Sequence, residues 1–251
     1  MTKFMQTHSG AGYFLLGFKL IRTKGIRRFV FIPFIVNLIL FGSAFYYLFG
    51  RIDELVVYLM GALPSWLDWL KDAVAFFVWP LAVIGILLVS AYLFSTLANW
   101  IAAPFNGLLS EKMELLLTGK RADEGSFVTL LKDIPRTLFR ELVKLKYYLP
   151  RALLFLLLFF FLPIAGQVLW FLFCAWMMAV QYCDYPYDNH KVAFQDMKAD
   201  LLKNKSDAYS FGTVVMLFSM IPIVNFLVMP VAICGATAMW VDKLKAQHVK
   251  S

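Results

Sequence analysis

Residues 24 to 29 read KGIRRF and bring two adjacent arginines, Arg27 and Arg28, to the threshold of a long apolar run just after a glycine. A helix starting near residue 26 would leave its first backbone N–H groups unpaired, with the positive end of its dipole beside them. Two guanidiniums add fork-shaped, charge-assisted donors. A tetrahedral dianion with several acceptor oxygens, such as sulfate, suits that arrangement. Lipid phosphate suits it too, because arginine pairs before an apolar helix are common membrane anchors. From these residues alone both partners stand.

A second cluster, YCDYPYDNHK at 182 to 191, gathers Cys183, Asp184, Asp188 and His190. The residue types suit a metal, but the spacing follows no zinc pattern. A tight turn at the membrane surface, built on Pro186 and the Asp188–Asn189 pair, is expected instead. An intramembrane enzyme using Asp184, Asp188 and His190 is the third alternative. The chain has no HExxH and no GxSxG, and Gly119–Lys120 lacks the remainder of a phosphate-binding loop. The expectation is therefore a non-enzyme with no cofactor and no metal. Cys174, Cys183 and Cys234 show no CxxC spacing and read as small buried hydrophobes.

These residues sit in a chain that is 61% hydrophobic and only 16% charged over 251 residues, which is the composition of a membrane protein. The net charge of +8 comes from basic residues flanking apolar runs, so anionic lipid or an anionic solute is expected and nucleic acid is not. Charge is absent from 29 to 50, 73 to 110, 152 to 183 and 208 to 241. The first apolar run follows 28 residues and is too long for a cleaved signal, so it is expected to be retained.

The runs at 29–50 and 73–103 read as a first and a second span, because about 20 apolar residues cross a hydrocarbon core of about 30 Å. The other two are interrupted, by Pro163 and Gly166 and by Pro222, Asn225 and Pro230. Their leading pieces, 152 to 162 and 211 to 221, would reach only about 16 Å as helices. They read as two hairpins, 152–183 and 208–241, whose breaks LPIAGQ and IPIVNF align at an offset of 59 residues. Two kinked full spans, giving a four-span bundle, are the alternative. The segment 1–28 reads as basic, cytoplasmic and interfacial, and 104–151 as cytoplasmic and amphipathic, with a helix beginning near Asp133 and Pro135.

The expected fold is thus an all-α integral membrane protein forming one membrane domain over 1–251. It has two long transmembrane helices, two half-crossing (re-entrant) helical hairpins and interfacial amphipathic helices. Lys/Arg bias makes the amino terminus cytoplasmic. Lys132, Arg136, Arg140 and Lys144 recur every four residues and so line one helix face, read as a stripe for lipid headgroups. Polar residues at or near the breaks, the acidic Glu111 among them, are candidates, together with Asn37, to line a path: Asn37, Asn99, Asn106, Glu111, Gln167 and Asn225. An ion pair between Glu111 and Arg136 or Arg140 is a further expectation.

The stretches GIRRFVFIPFIVNLIL, WPLAVIGILLVSAYLFSTLANWIAAPFNGLLSE, DIPR, KLKYYLPRALL, WFLFCAWMMAVQYCDYPYDNHK and VMPVAICGATAMWVD closely resemble, in order, the CysZ family of bacterial inner-membrane sulfate permeases. The resemblance implies channel-like uptake of sulfate without an ATPase subunit, supplying sulfur assimilation and cysteine biosynthesis. It also implies half-crossing hairpins, a bacterial inner-membrane location and a homo-oligomer. The family's glycine-apolar-arginine motif, associated with sulfate binding, falls on Gly25, Ile26, Arg27 and Arg28, with Ile26 where Leu is frequent. The competing reading is a non-transporting membrane scaffold that binds anionic lipid through its basic segments.

Overall fold

The computed structural model describes residues 8–51, 105–119 and 127–248, with scattered positions between 54 and 87. Every described element is helical. The elements are α1 (Gly10–Leu20), α2 (Arg27–Phe49), α3 (105–118), α4 (Phe127–Phe161), α5 (Ala165–Asn189), α6 (Phe194–Lys203), α7 (Lys205–Ser219) and α8 (Pro222–Met239). A π turn, Trp240–Leu244, and a short 3-10 turn, Lys245–Gln247, follow α8. The chain forms two compact units, residues 1–30 with 103–251, and residues 31–102.

In the smaller unit α2 continues through the expected first span, and its described outer residues Phe31, Ile35, Leu38 and Ile39 are all exposed. Such a surface suits hydrocarbon rather than water. The expected second span is helical where it is described, between 76 and 87, and otherwise lies outside the described residues.

In the larger unit α4 and α5 pair antiparallel. Phe159 meets Trp170, Phe155 meets Phe173, Tyr147 meets Trp176, and Arg140 meets Asp184, so one number falls as the other rises. The reversal takes place at 162–164, where Ile164 takes φ +63°. Gly166 lets the returning helix touch the outgoing one, since a Cβ there would lie 2.1 Å from the Leu158 carbonyl oxygen. The second reversal is at Met220 and Ile221, and Lys243 reaches back to Asp207. The two interrupted runs therefore turn back and are not kinked single helices. Two described helices, Ala165–Asn189 and Leu227–Leu244, are long and apolar enough to cross a membrane.

One expected helix has different bounds. The helix expected near Asp133 begins at Phe127, and it does not end at 151 but runs through Pro135 and Pro150 to Phe161. Proline removes one N–H and crowds the preceding turn, and in that turn the Arg151 guanidinium donates to the Tyr147 carbonyl at 2.8 Å. Within 1–28, α1 is packed into the core through Tyr13, Phe14, Leu16 and Leu20. α1 runs parallel to α7, with Gly10 beside Asp207, Phe14 beside Phe211 and Phe18 beside Phe218. It runs antiparallel to α8, with Gly17 against Val231 and Tyr13 against Gly235.

These crossings depend on small residues that let backbones approach, as in other apolar helix pairs. At Gly212 a Cβ would stand 1.8 Å from the Ala175 carbonyl oxygen, and backbone cannot give way as a flexible side chain can. Gly212→Ala is expected to destabilise the detergent-solubilised protein by about 2 kcal/mol, read as a fall in Tm. A Tm equal to that of the wild type would show that α5 and α7 do not meet there.

Candidate functional site

α1 ends at Leu20, and residues 21–26 turn the chain into α2. The Ile26 N–H bonds the Thr23 carbonyl at 3.1 Å, and Gly25 takes φ +94°, a conformation that L side chains rarely adopt. Ile26 is fully buried in the core cluster. It pins the turn from inside, so that Arg27 and Arg28, the first two residues of α2, stand on the outside and are exposed. The Arg27 Nε donates to the Arg22 carbonyl at 3.0 Å, which ties one guanidinium to the preceding turn. The four residues of the motif thus have distinct roles: the glycine bends, the isoleucine anchors, and the arginines present charge at the positive end of a 23-residue helix.

A second polar structure lies within the same unit. α5 carries Asp184 and Asp188 one turn apart, and α4 turns its basic row toward them. Arg140 grips Asp184 with Nη2 at 2.7 Å and Nε at 3.0 Å, and Lys144 stands 3.4 Å from the other Asp184 oxygen. Arg136 donates to the Asp188 carboxylate at 2.5 Å and to its carbonyl at 3.1 Å. Beyond the helix end, His190 donates to both oxygens of Glu114 at 2.8 and 2.9 Å, and Lys245 adds an ion pair at 2.7 Å. Asn106 donates to the Tyr185 hydroxyl at 3.1 Å, Asn189 to the Gly107 carbonyl at 2.9 Å, and Ser110 shares a 2.9 Å bond with Thr237. This seam joins α3, α4, α5 and the chain end.

The row Arg136, Arg140 and Lys144 does share a helix face, but that face looks inward at carboxylates. The opposite face, with Phe139, Leu142, Leu145 and Leu149, is exposed. The side chain of Lys132 lies outside the described residues. Asp184 and Asp188 hold Arg140 and Arg136, the two residues named as candidate partners for Glu111, and Glu111 itself is half-buried on α3. Among the described residues there is no group of three or more His, Cys, Asp or Glu able to hold a metal.

The path candidates fall in separate places. Asn99 and the Asn37 side chain lie outside the described residues. Gln167 and Asn225 are exposed in the opening turns of α5 and α8, beside the two reversals. Asn106 is buried beside Tyr185, 18 residues along α5 from Gln167 and so about 27 Å away. The signal that sequence reading missed was a match of spacing: Asp184 and Asp188 repeat at the same four-residue interval as Arg136 and Arg140, so two complementary faces zip together.

The chain matches, over residues 13–230, the family model described as Sulfate transporter CysZ/Etoposide-induced protein 2.4. It belongs to that family. It is 52% identical over 244 residues to the sulfate transporter CysZ of Salmonella typhimurium, covering 96% of this chain and 94% of that protein. With the sulfate transporter CysZ of Pectobacterium atrosepticum it shares 51% identity over 243 residues, 95% of this chain and 86% of that one. Kinship with CysZ agrees with an apolar, helix-built membrane protein.

Two outcomes test the seam. Asp184→Asn leaves Arg140 and Lys144 buried without their counter-charge and is expected to cost about 3 kcal/mol, measured as a fall in Tm or in the urea midpoint. Burial alone would push the Glu114 carboxyl up, but the hydrogen bond from His190 and the ion pair with Lys245 overcome it and hold it below the usual carboxylate range. The folded pKa therefore lies below the unfolded value of about 4.3, and the stability it contributes is complete above that value and lost as pH falls through the folded one. The Tm difference between the wild type and Glu114→Gln should be full at pH 6 and shrink below about pH 4.3.

Proposed function

We propose that this protein is a sulfate permease of the bacterial inner membrane, taking up sulfate in a channel-like manner to supply sulfur assimilation and cysteine biosynthesis. The reading is carried by one observation: in a member of this family, the turn at Gly25 and Ile26 holds Arg27 and Arg28 exposed at the start of α2. Sulfate offers four oxygens to guanidinium forks and to first-turn N–H groups at the positive end of a helix. Arginine suits this better than lysine because its planar donor array stays charged and matches an oxyanion in pairs.

In this reading α2 and the second apolar run span the membrane, and the α4–α5 and α7–α8 hairpins enter it without crossing. The amino terminus is cytoplasmic, and several copies assemble. The polar positions proposed for the route of sulfate are Asn37, Asn99, Asn106, Glu111, Gln167 and Asn225. A half-crossing hairpin accounts for the charge pattern of α4. The last charged residue, Arg151, precedes Phe161 by ten residues, about 15 Å of helix and half the hydrocarbon core.

The test is uptake of labelled sulfate by liposomes containing the purified protein. Arg27→Ala/Arg28→Ala should lower flux at least tenfold, with Tm unchanged, because both side chains are exposed. Gly25→Ala should lower it less, since a Cβ meets open space but strains the φ +94° turn. An inert wild type would sink the permease reading, and full flux in the double variant would remove the arginines from it.

A further inference from the structure

Six cations of the larger unit, Arg136, Arg140, Lys144, Lys203, Lys243 and Lys245, each meet a carboxylate. Arg151 and Lys198 behave otherwise. They come from different helices, α4 and α6, and converge on one aromatic ring. The Arg151 guanidinium lies 3.9 Å from the centre of the Tyr147 ring, and the Lys198 ammonium lies 4.5 Å from the same centre and 5.2 Å from that of Phe194. The Tyr147 ring is fixed in turn, its hydroxyl accepting from Trp176 Nε1 at 3.1 Å and its edge set against Phe194. Among the described residues no carboxylate stands within ion-pair distance of Arg151 or Lys198. Lys198 is held below the usual lysine range, first by its partial burial and then by the Arg151 charge.

Two like charges pressed onto one ring leave an electrostatic debt that an anion would settle, while the ring faces contribute cation–π attraction but no counter-charge. The site's position selects the anion. Arg151 is the last charged residue before a charge-free stretch that lasts through Cys183, and Leu153, Leu154 and Leu157 just beyond it are exposed. Leu154 is three residues on and therefore shares the helix face of Arg151. Tyr147, Tyr148, Trp176 and Tyr209 gather at the same level, where tyrosine and tryptophan mark the boundary between headgroups and hydrocarbon.

We propose that Arg151 and Lys198 form a binding site for the phosphate of an anionic phospholipid, whose acyl chains lie along the exposed leucines of α4. The site is separate from the arginine pair of α2 and does not require sulfate transport. It fixes the height of the α4–α5 pair in the membrane.

The test uses the full-length protein in detergent micelles doped with phosphatidylglycerol or phosphatidylcholine, with lipid retention read by native mass spectrometry and stability by Tm. Wild type should retain phosphatidylglycerol on the order of tenfold better than Arg151→Ala/Lys198→Ala, while phosphatidylcholine is retained equally. Arg151→Lys/Lys198→Arg, which keeps both charges, should keep the preference, and so should Arg27→Ala/Arg28→Ala. If the double alanine variant does not fold, Arg151→Gln and Lys198→Gln taken singly give the same reading at smaller size. Equal phosphatidylglycerol retention by wild type and charge-removed variants overturns the proposal. Protection of wild type by sulfate alone, lost in those variants and without a preference for phosphatidylglycerol, overturns it in favour of a free anion.

Discussion

A carboxylate buried inside an apolar, membrane-embedded protein must keep a cation beside it, because nothing else there offsets the loss of water. Asp184, only 1% exposed, sets that demand, and Arg140 and Lys144 meet it from α4. Much of the larger unit follows. α4 has one basic side and one apolar side, and the pairing turns the basic side inward. The apolar side is then left outward, a choice that water would penalise and hydrocarbon rewards. The same pairing sets the register of α4 on α5, which in turn places the reversal at 162–164 and stacks Phe155 on Phe173.

The seam also holds the segment after α8. Lys245 closes on Glu114, while Lys243 reaches Asp207 and the hydroxyl of Tyr13 donates to Asp242. α1, α3, α7 and the segment after α8 are thus tied at one end of the unit by charges, and along their lengths by close glycine crossings. The two kinds of contact divide the work. Backbone approach at Gly17, Gly212 and Gly235 supplies contact where the side chains are apolar, and ion pairs supply register, which small residues alone specify poorly.

How much of this was legible in the sequence depends on the range of the interaction. The start of α2 was readable, because a glycine before an apolar run and the onset of helix are local properties, and Gly25 at φ +94° is what a bend there requires. The two reversals were readable for the same reason, with Pro163 and Gly166 together and Pro222 opening a helix. The facing of α4 was not. Period alone shows that Arg136, Arg140 and Lys144 share a side, but which side turns inward is decided by Asp184 and Asp188 more than forty residues later. The boundary at 151 was misplaced because it followed the last charge, whereas the helix runs on through Pro150, with the Arg151 guanidinium donating to the Tyr147 carbonyl, to Phe161.

The arginines of this chain differ in burial and in counter-charge. An arginine held by a carboxylate already has its counter-charge, and an arriving anion would be repelled by that negative charge or have to displace it. Arg136 and Arg140 are therefore poor sites for sulfate, however basic their stretch of sequence looks. The Arg27 and Arg28 side chains are exposed, Arg27 lends its Nε to a backbone carbonyl, and the turn before them is shaped by a glycine and an anchoring isoleucine. That division follows from exposure and from the placement of Asp184 and Asp188 on α5, which commits the acids of the seam to α4's basic row.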